Sequence, residues 1–197
     1  MYCEGLKETI GDELVAGTGD PRALGWIGRV LARTNVPETM NVFPLAMPGE
    51  STTEMSQRWE NECMPRFKDG ADNRLIIAVG KQDVETGLST PRTRLNLANM
   101  VDVSTQLGIK VMIVGPPPLQ TSDSRQLSEV VRACREVAER RSIPFVDTFS
   151  PLLTHDQWHD DIAMSQTGLP NQAGYGLLAW IVLHNNWFEW IGLPPRA

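Results

Sequence analysis

Hydrophobic positions along the chain fall into two kinds of pattern. The runs Val42-Phe43-Pro44-Leu45-Ala46, Arg74-Leu75-Ile76-Ile77-Ala78-Val79-Gly80 and Lys110-Val111-Met112-Ile113-Val114-Gly115 each end in glycine or in a turn. The last two are nearly continuous in apolar residues, as expected of strands buried on both faces of a parallel sheet. Between them, 95–107 and 126–141 repeat apolar residues at helical spacing, and Leu127, Val130, Val131, Cys134, Val137 and Ala138 form one stripe. Ile143-Pro144-Phe145-Val146-Asp147 reads as a further strand, 24–31 as a helix and 174–188 as one long closing helix. Strand and helix in alternation imply right-handed βαβ units in an open α/β sheet. The predicted fold is a three-layer α/β/α sandwich, flavodoxin-like, with a central parallel sheet of about five strands. It is expected to form one domain over residues 1–197.

The first strand breaks the pattern. Leu6-Lys7-Glu8-Thr9-Ile10 belongs in the middle of such a sheet, yet it carries Lys7 and Glu8. A buried unpaired charge is costly, so displacement, fraying and internal ion pairing are all open for this segment.

Composition narrows the function classes. With 24 acidic and 18 basic residues the formal charge is −6, and no basic stretch offers itself to phosphates, so neither nucleic acid nor an anionic membrane is expected as partner. No apolar run reaches the roughly 18–20 residues that span a bilayer. The N-terminal residues lack a basic start followed by an apolar middle, and the scattered Cys3, Cys63 and Cys134 make no zinc or redox spacing. A soluble, cytoplasmic protein is the expectation. Trp180, Trp187, Phe188, Trp190, Ile191 and Leu193 weight the tail with large apolar side chains, which points to a homodimer through the C-terminal segment.

In open α/β sheets ligands collect at the carboxyl ends of strands, and the residues there carry a resemblance. Ile10-Gly11-Asp12-Glu13-Leu14, Met47-Pro48-Gly49-Glu50-Ser51-Thr52, Gly80-Lys81-Gln82-Asp83 and Leu169-Pro170-Asn171-Gln172-Ala173-Gly174-Tyr175 resemble, in order and spacing, the consensus blocks of the SGNH (GDSL) hydrolase family. Gly17-Thr18-Gly19-Asp20-Pro21 with Gly25-Trp26 is similar to a bacterial subgroup of GDSL lipases. The resemblance implies the fold above and a cleft built by these blocks. It also puts the family's nucleophilic serine at Glu13, its oxyanion asparagine at Gln82, its triad aspartate at Gln166 and its triad histidine at Leu169. Of these positions only Gly49, whose N–H serves the oxyanion hole, keeps the family residue.

A serine triad works because an imidazole takes the hydroxyl proton while a carboxylate orients the imidazole. Here the hydroxyl, the imidazole and the carboxylate are each missing from their own place in the triad. The expected chemistry is therefore that of a small-molecule enzyme with Glu13 as general acid or base and with Gly49 and Gln82 stabilising developing charge. Asp12, Thr18, Asp83, Gln166 and Leu169 are expected around the substrate, Asp83 also anchoring its loop. Two other readings stand beside it. One is a pseudoenzyme that binds a small molecule or a partner. The other is an esterase with a relocated triad, using Asp156 and His159 with Ser51, Thr52 or Thr18. His155 and His159 share a helix face at a metal-like spacing, but no third ligand follows, and neither metal nor cofactor is expected. Asp160 and Asp161 read as a solvated acidic face, and Asp20-Pro21 as the opening of the helix over 24–31.

Overall fold

The computed structural model describes residues 5–35 and 40–194; Cys3 lies outside them. In chain order the elements are β1 (Gly5–Gly11), α1 (Glu13–Ala16), α2 (Gly25–Leu31), β2 (Met40–Ala46), α3 (Thr52–Cys63), β3 (Asp72–Ala78) and α4 (Gln82–Glu85). Then follow α5 (Thr90–Gln106), β4 (Lys110–Val114), α6 (Ser124–Arg141), β5 (Phe145–Val146), α7 (Asp156–Ala163), α8 (Gln172–Leu183) and α9 (Trp187–Trp190). All strand pairs are parallel, in the order β2-β1-β3-β4-β5. That is the flavodoxin-like order, with its switch point between β1 and β3. Pro44 is accommodated because β2 is an edge strand, where a missing N–H need not break a ladder.

Period-two alternation splits the sheet's side chains between two cores. Ile10, Leu75, Ile77, Val111 and Ile113 face α3, α5 and α6, among Trp59, Met100 and Val130. Ile76, Ala78, Met112 and Val114 face α2 and α8, among Trp26, Leu178 and Trp187. The sandwich follows from strands that are apolar on both faces and helices that are apolar on one.

The closing helix is not continuous. It ends at Leu183, and Asn186 adopts a left-handed φ of 62° before α9 begins. The break turns Trp187 back into the core, where its indole N–H donates to Thr34 Oγ1 at 2.9 Å. Trp187, Trp190 and Ile191 are thereby buried. Of the other residues on which the homodimer expectation rested, Phe188 and Leu193 are half-buried and Trp180 is 56% exposed and stacked on His184.

β1 is neither displaced nor frayed. It pairs with β2 and β3 along its length. Lys7 lies 3.8 Å from Asp72, which also holds Arg74 and Lys110. Glu8 has no such partner: both oxygens are buried without a hydrogen bond among the described residues, beside the Cys63 thiol. Burial pushes its carboxyl up to about 7.

The folded chain therefore keeps a proton on Glu8 that the unfolded chain releases above about 4.5. The stability carried by the protonated form is complete below that pH and is lost as pH rises through 7. Each unit of such a shift is worth about 1.4 kcal/mol. Denaturant unfolding followed from pH 5 to pH 8 shows stability falling with pH, and Glu8→Gln makes the profile distinctly flatter. An identical slope in the variant contradicts this account of Glu8.

Candidate active site

β1 delivers Gly11 to the carboxyl edge of the sheet, and Asp12 caps α1 by accepting the Leu14 N–H on Oδ1 at 2.9 Å. α1 lasts four residues before Gly17, at φ 73°, ends it. Glu13 is its first residue and half-buried. Its Oε2 accepts the Gly49 N–H at 2.8 Å, a contact between residues 36 apart. Gly49 sits in the turn after β2 at φ 73°, a left-handed conformation that favours glycine even though the space around it is open. Beneath this turn, buried Glu50 is paired with Arg58, which also donates to Leu45 O at 2.9 Å. Ser51 and Glu54 close a capping box on α3. The donor that meets Glu13 is thus held by a salt bridge and by a helix cap.

The third block ties these pieces together. Asp83 accepts Thr52 N–H at 2.7 Å on Oδ1, and the Thr52 and Thr93 hydroxyls at 2.7 and 2.6 Å on Oδ2. Asn96 donates to the Thr52 and Thr53 hydroxyls. Asp83 therefore anchors its loop, as expected, but by bridging α3, α4 and α5. Hydrogen bonds to a carboxylate are each worth about 1.5–3 kcal/mol. Gln82 opens α4 half-buried, and its side-chain amide takes no hydrogen bond among the described residues.

Gly80 has a steric reason to be glycine: a Cβ there would come within 1.6 Å of Asp12 Oδ2. Asp12 is 1% exposed, and that oxygen has no partner. Burial, and then the Glu13 charge, push its carboxyl up to about 7. It borders a cavity of about 10 Å³ walled by Trp26, Ala78, Val114 and Leu178, room for a single water.

The last block closes the opposite side. Leu169 is 7% exposed and packs in the core with Leu14 and Trp26. Gln166 lies exposed on a bend, with no hydrogen bond to the first three blocks. Thr18 is exposed, its carbonyl accepting the Tyr175 hydroxyl at 2.7 Å. Gly19 approaches the Pro170 carbonyl so closely that a Cβ would sit 2.9 Å from it. Asp20 accepts N–H groups from Arg22, Leu24 and Gly25 and pairs with Arg29, which holds its carboxyl down at about 2. Asp161 is not solvated: it is buried and accepts Asn171 and Gly174 N–H at 2.6 and 3.0 Å, capping α8.

Several of the groups a relocated triad would need are occupied elsewhere. His159 holds the Leu153 carbonyl at 2.9 Å, and His184 holds that of Trp180. The Ser51 hydroxyl serves the capping box and the Thr52 hydroxyl serves Asp83. Among the described residues no group of three or more His, Cys, Asp or Glu side chains could hold a metal ion. The structure thus brings Asp12, Glu13, Gly49 and Gly80 together, with Asp83 bracing the turns. Sequence reasoning named Gly80 only as part of its block, missed Arg58 and read Asp161 as solvated. The capping box Ser51-Thr52-Thr53-Glu54 was the available signal for α3.

Set against known proteins, the chain matches the model of a family described as GDSL-like Lipase/Acylhydrolase over residues 9–177. No curated protein matches it. The lipase/acylhydrolase from Enterococcus faecalis is similar in structure over 100% of both chains, at 22% identity and a TM-score of 0.75. A member of the lipolytic protein G-D-S-L family from Veillonella parvula is similar over 91% of this chain and 96% of its own, at 21% identity and a TM-score of 0.74. Axe2, an acetylxylan esterase from Geobacillus stearothermophilus, aligns over 100% of both chains at 18% identity and a TM-score of 0.76. Likeness at these identities speaks for the fold.

The contact between Gly80 and Asp12 gives a direct check. Gly80→Ala lowers stability by about 1–3 kcal/mol through overpacking. Asp12→Ala costs about 1 kcal/mol as a lost cap, yet it relieves much of the damage when the two are combined. Strict additivity in that double-mutant cycle, measured by denaturant unfolding, contradicts the steric account.

Proposed function

The chain belongs to the GDSL-like lipase/acylhydrolase family, and we propose that it is a small-molecule enzyme on that family's fold whose reactive side chain is a carboxylate, Glu13, in place of a serine hydroxyl. The observation that carries this reading is the hydrogen bond from Gly49 N–H to Glu13 Oε2. A general base has to be oriented before it is useful, and this bond fixes one oxygen of Glu13 while leaving Oε1 to take a proton. The proton comes from water or from a carbon beside a carbonyl. The Gln82 amide is the remaining side-chain donor for the oxygen that gains charge. Among the described residues His159 and His184 are bonded to the Leu153 and Trp180 carbonyls, which supports a reaction without a serine acyl-enzyme.

The same bond favours a second reading, a cleft that binds without turnover. An N–H already satisfied by Glu13 is not free to receive an oxyanion, and losing one such donor costs about 10²–10³ in rate. Turnover of a panel of activated esters and carbonyl compounds separates the two readings. On the first, Glu13→Gln lowers the rate of the compound turned over by about 10²–10⁴, and an active-serine phosphonate labels neither protein. Stoichiometric labelling of the native chain overturns the carboxylate reading. Saturable binding with no conversion leaves the second.

A further inference from the structure

Helix α8 buries Tyr175, Leu178, Ala179, Ile181 and Val182 in the core, and its other face carries a groove of about 440 Å³. That volume falls within the range of about 300–1,000 Å³ of small-molecule sites. α8 supplies Gly176, Leu177, Trp180 and His184 to the groove, Arg33 bounds it just past the end of α2, and Gln157 of α7 lines it as well. A Cβ on Gly176 would meet nothing within 4 Å, so the space over that stretch of helix is open. Trp180 is held in place: the His184 ring stacks on the indole with centroids 4.2 Å apart, and His184 Nδ1 lies 2.7 Å from the Trp180 carbonyl. The indole nevertheless stays 56% exposed. The charge of the groove runs against that of the chain, whose net charge is −6. Among the described residues no acidic side chain lines it, and the Arg33 guanidinium makes no ion pair or hydrogen bond. Arg29, four residues earlier, is by contrast committed to Asp20.

We propose that this groove binds a small planar aromatic anion, its ring on Trp180 and its carboxylate on Arg33. An aromatic ring stacks offset on an indole, and a guanidinium with no acceptor of its own fits the two oxygens of a carboxylate. Leu177 and the open space over Gly176 take the edge of the ring. An aliphatic anion loses the stacking, a neutral aromatic loses the ion pair, and an aromatic cation meets a like charge. The groove shares no residue with the contact between Glu13 and Gly49, so the proposal goes beyond the reading of Glu13 and does not rest on it.

Cinnamate, cinnamyl alcohol and cyclohexanecarboxylate separate the ring from the charge when titrated into the full chain at low salt. The Trp180 indole N–H is followed in ¹H–¹⁵N spectra, identified by its absence in Trp180→Phe, and affinities are measured by calorimetry. Cinnamate shifts that resonance saturably and binds about threefold or more tightly than either of the other two. Arg33 and Trp180 are exposed, so replacing them should leave the fold intact. Arg33→Gln and Trp180→Ala each weaken cinnamate about threefold or more, whereas Trp180→Phe, which keeps a ring, retains most of the affinity. Arg125→Gln, the same change of charge at an exposed position on α6, leaves it unchanged. Cinnamate that binds without moving the Trp180 resonance, or binds native protein and Arg33→Gln equally, overturns the proposal. A dimer seen by sedimentation velocity and abolished by Trp180→Ala also overturns it, because a second copy of the chain then covers the groove.

Discussion

The backbone N–H of Gly49, in the turn after β2, is met by the carboxylate of Glu13, the first residue after the cap that ends β1. The contact between Gly49 and Glu13 depends on two rigid supports. Asp12 starts α1 at the end of β1 and so aims the Glu13 side chain. The Glu50–Arg58 pair and the α3 capping box hold the turn that carries Gly49. Asp83 locks the two helices behind that turn. The side chains around Glu13 are thus fixed before any ligand arrives, which is the condition under which a single polar contact can set the character of a site.

The price of this arrangement is charge in poor surroundings. Glu8 sits without a hydrogen bond in the sheet and Asp12 beneath Glu13 with one oxygen unpaired. Burial raises both carboxyls to about 7. Asp20 shows the contrast, since a partner guanidinium and three N–H groups hold it ionised. The polar residues that brace the fold are compensated, whereas the acidic residues along β1 and at its end are not.

How much of this was legible in the sequence depends on the range of the interaction. Strands apolar on both faces announce themselves, so the sheet, its parallel sense and the helices over 95–107 and 126–141 were readable from local pattern. Block order grouped the first three blocks, because they directly follow β1, β2 and β3. Features set by a few residues far apart in the chain were not readable. The break after Leu183 was hidden because the apolar pattern runs on past it, with Asn185-Asn186 as the only signal. Asp161 looked solvated beside Asp160 because its partners, Asn171 and Gly174, lie in the next element. Leu169 could be placed at its position in the block, but not its burial in the same core as Leu14 and Trp26.

The most direct test is the amide of Gly49 itself. It lies on an exposed turn, where an unbonded N–H exchanges quickly with water and resonates near random-coil values. In ¹H–¹⁵N NMR spectra the native protein should show its proton shifted downfield and slowed in exchange, with both effects lost in Glu13→Ala while the Thr52 amide, bound to Asp83, stays unchanged. A Gly49 resonance that is the same in native protein and Glu13→Ala would mean that the carboxylate does not occupy that donor, and the description of the cleft would fall with it.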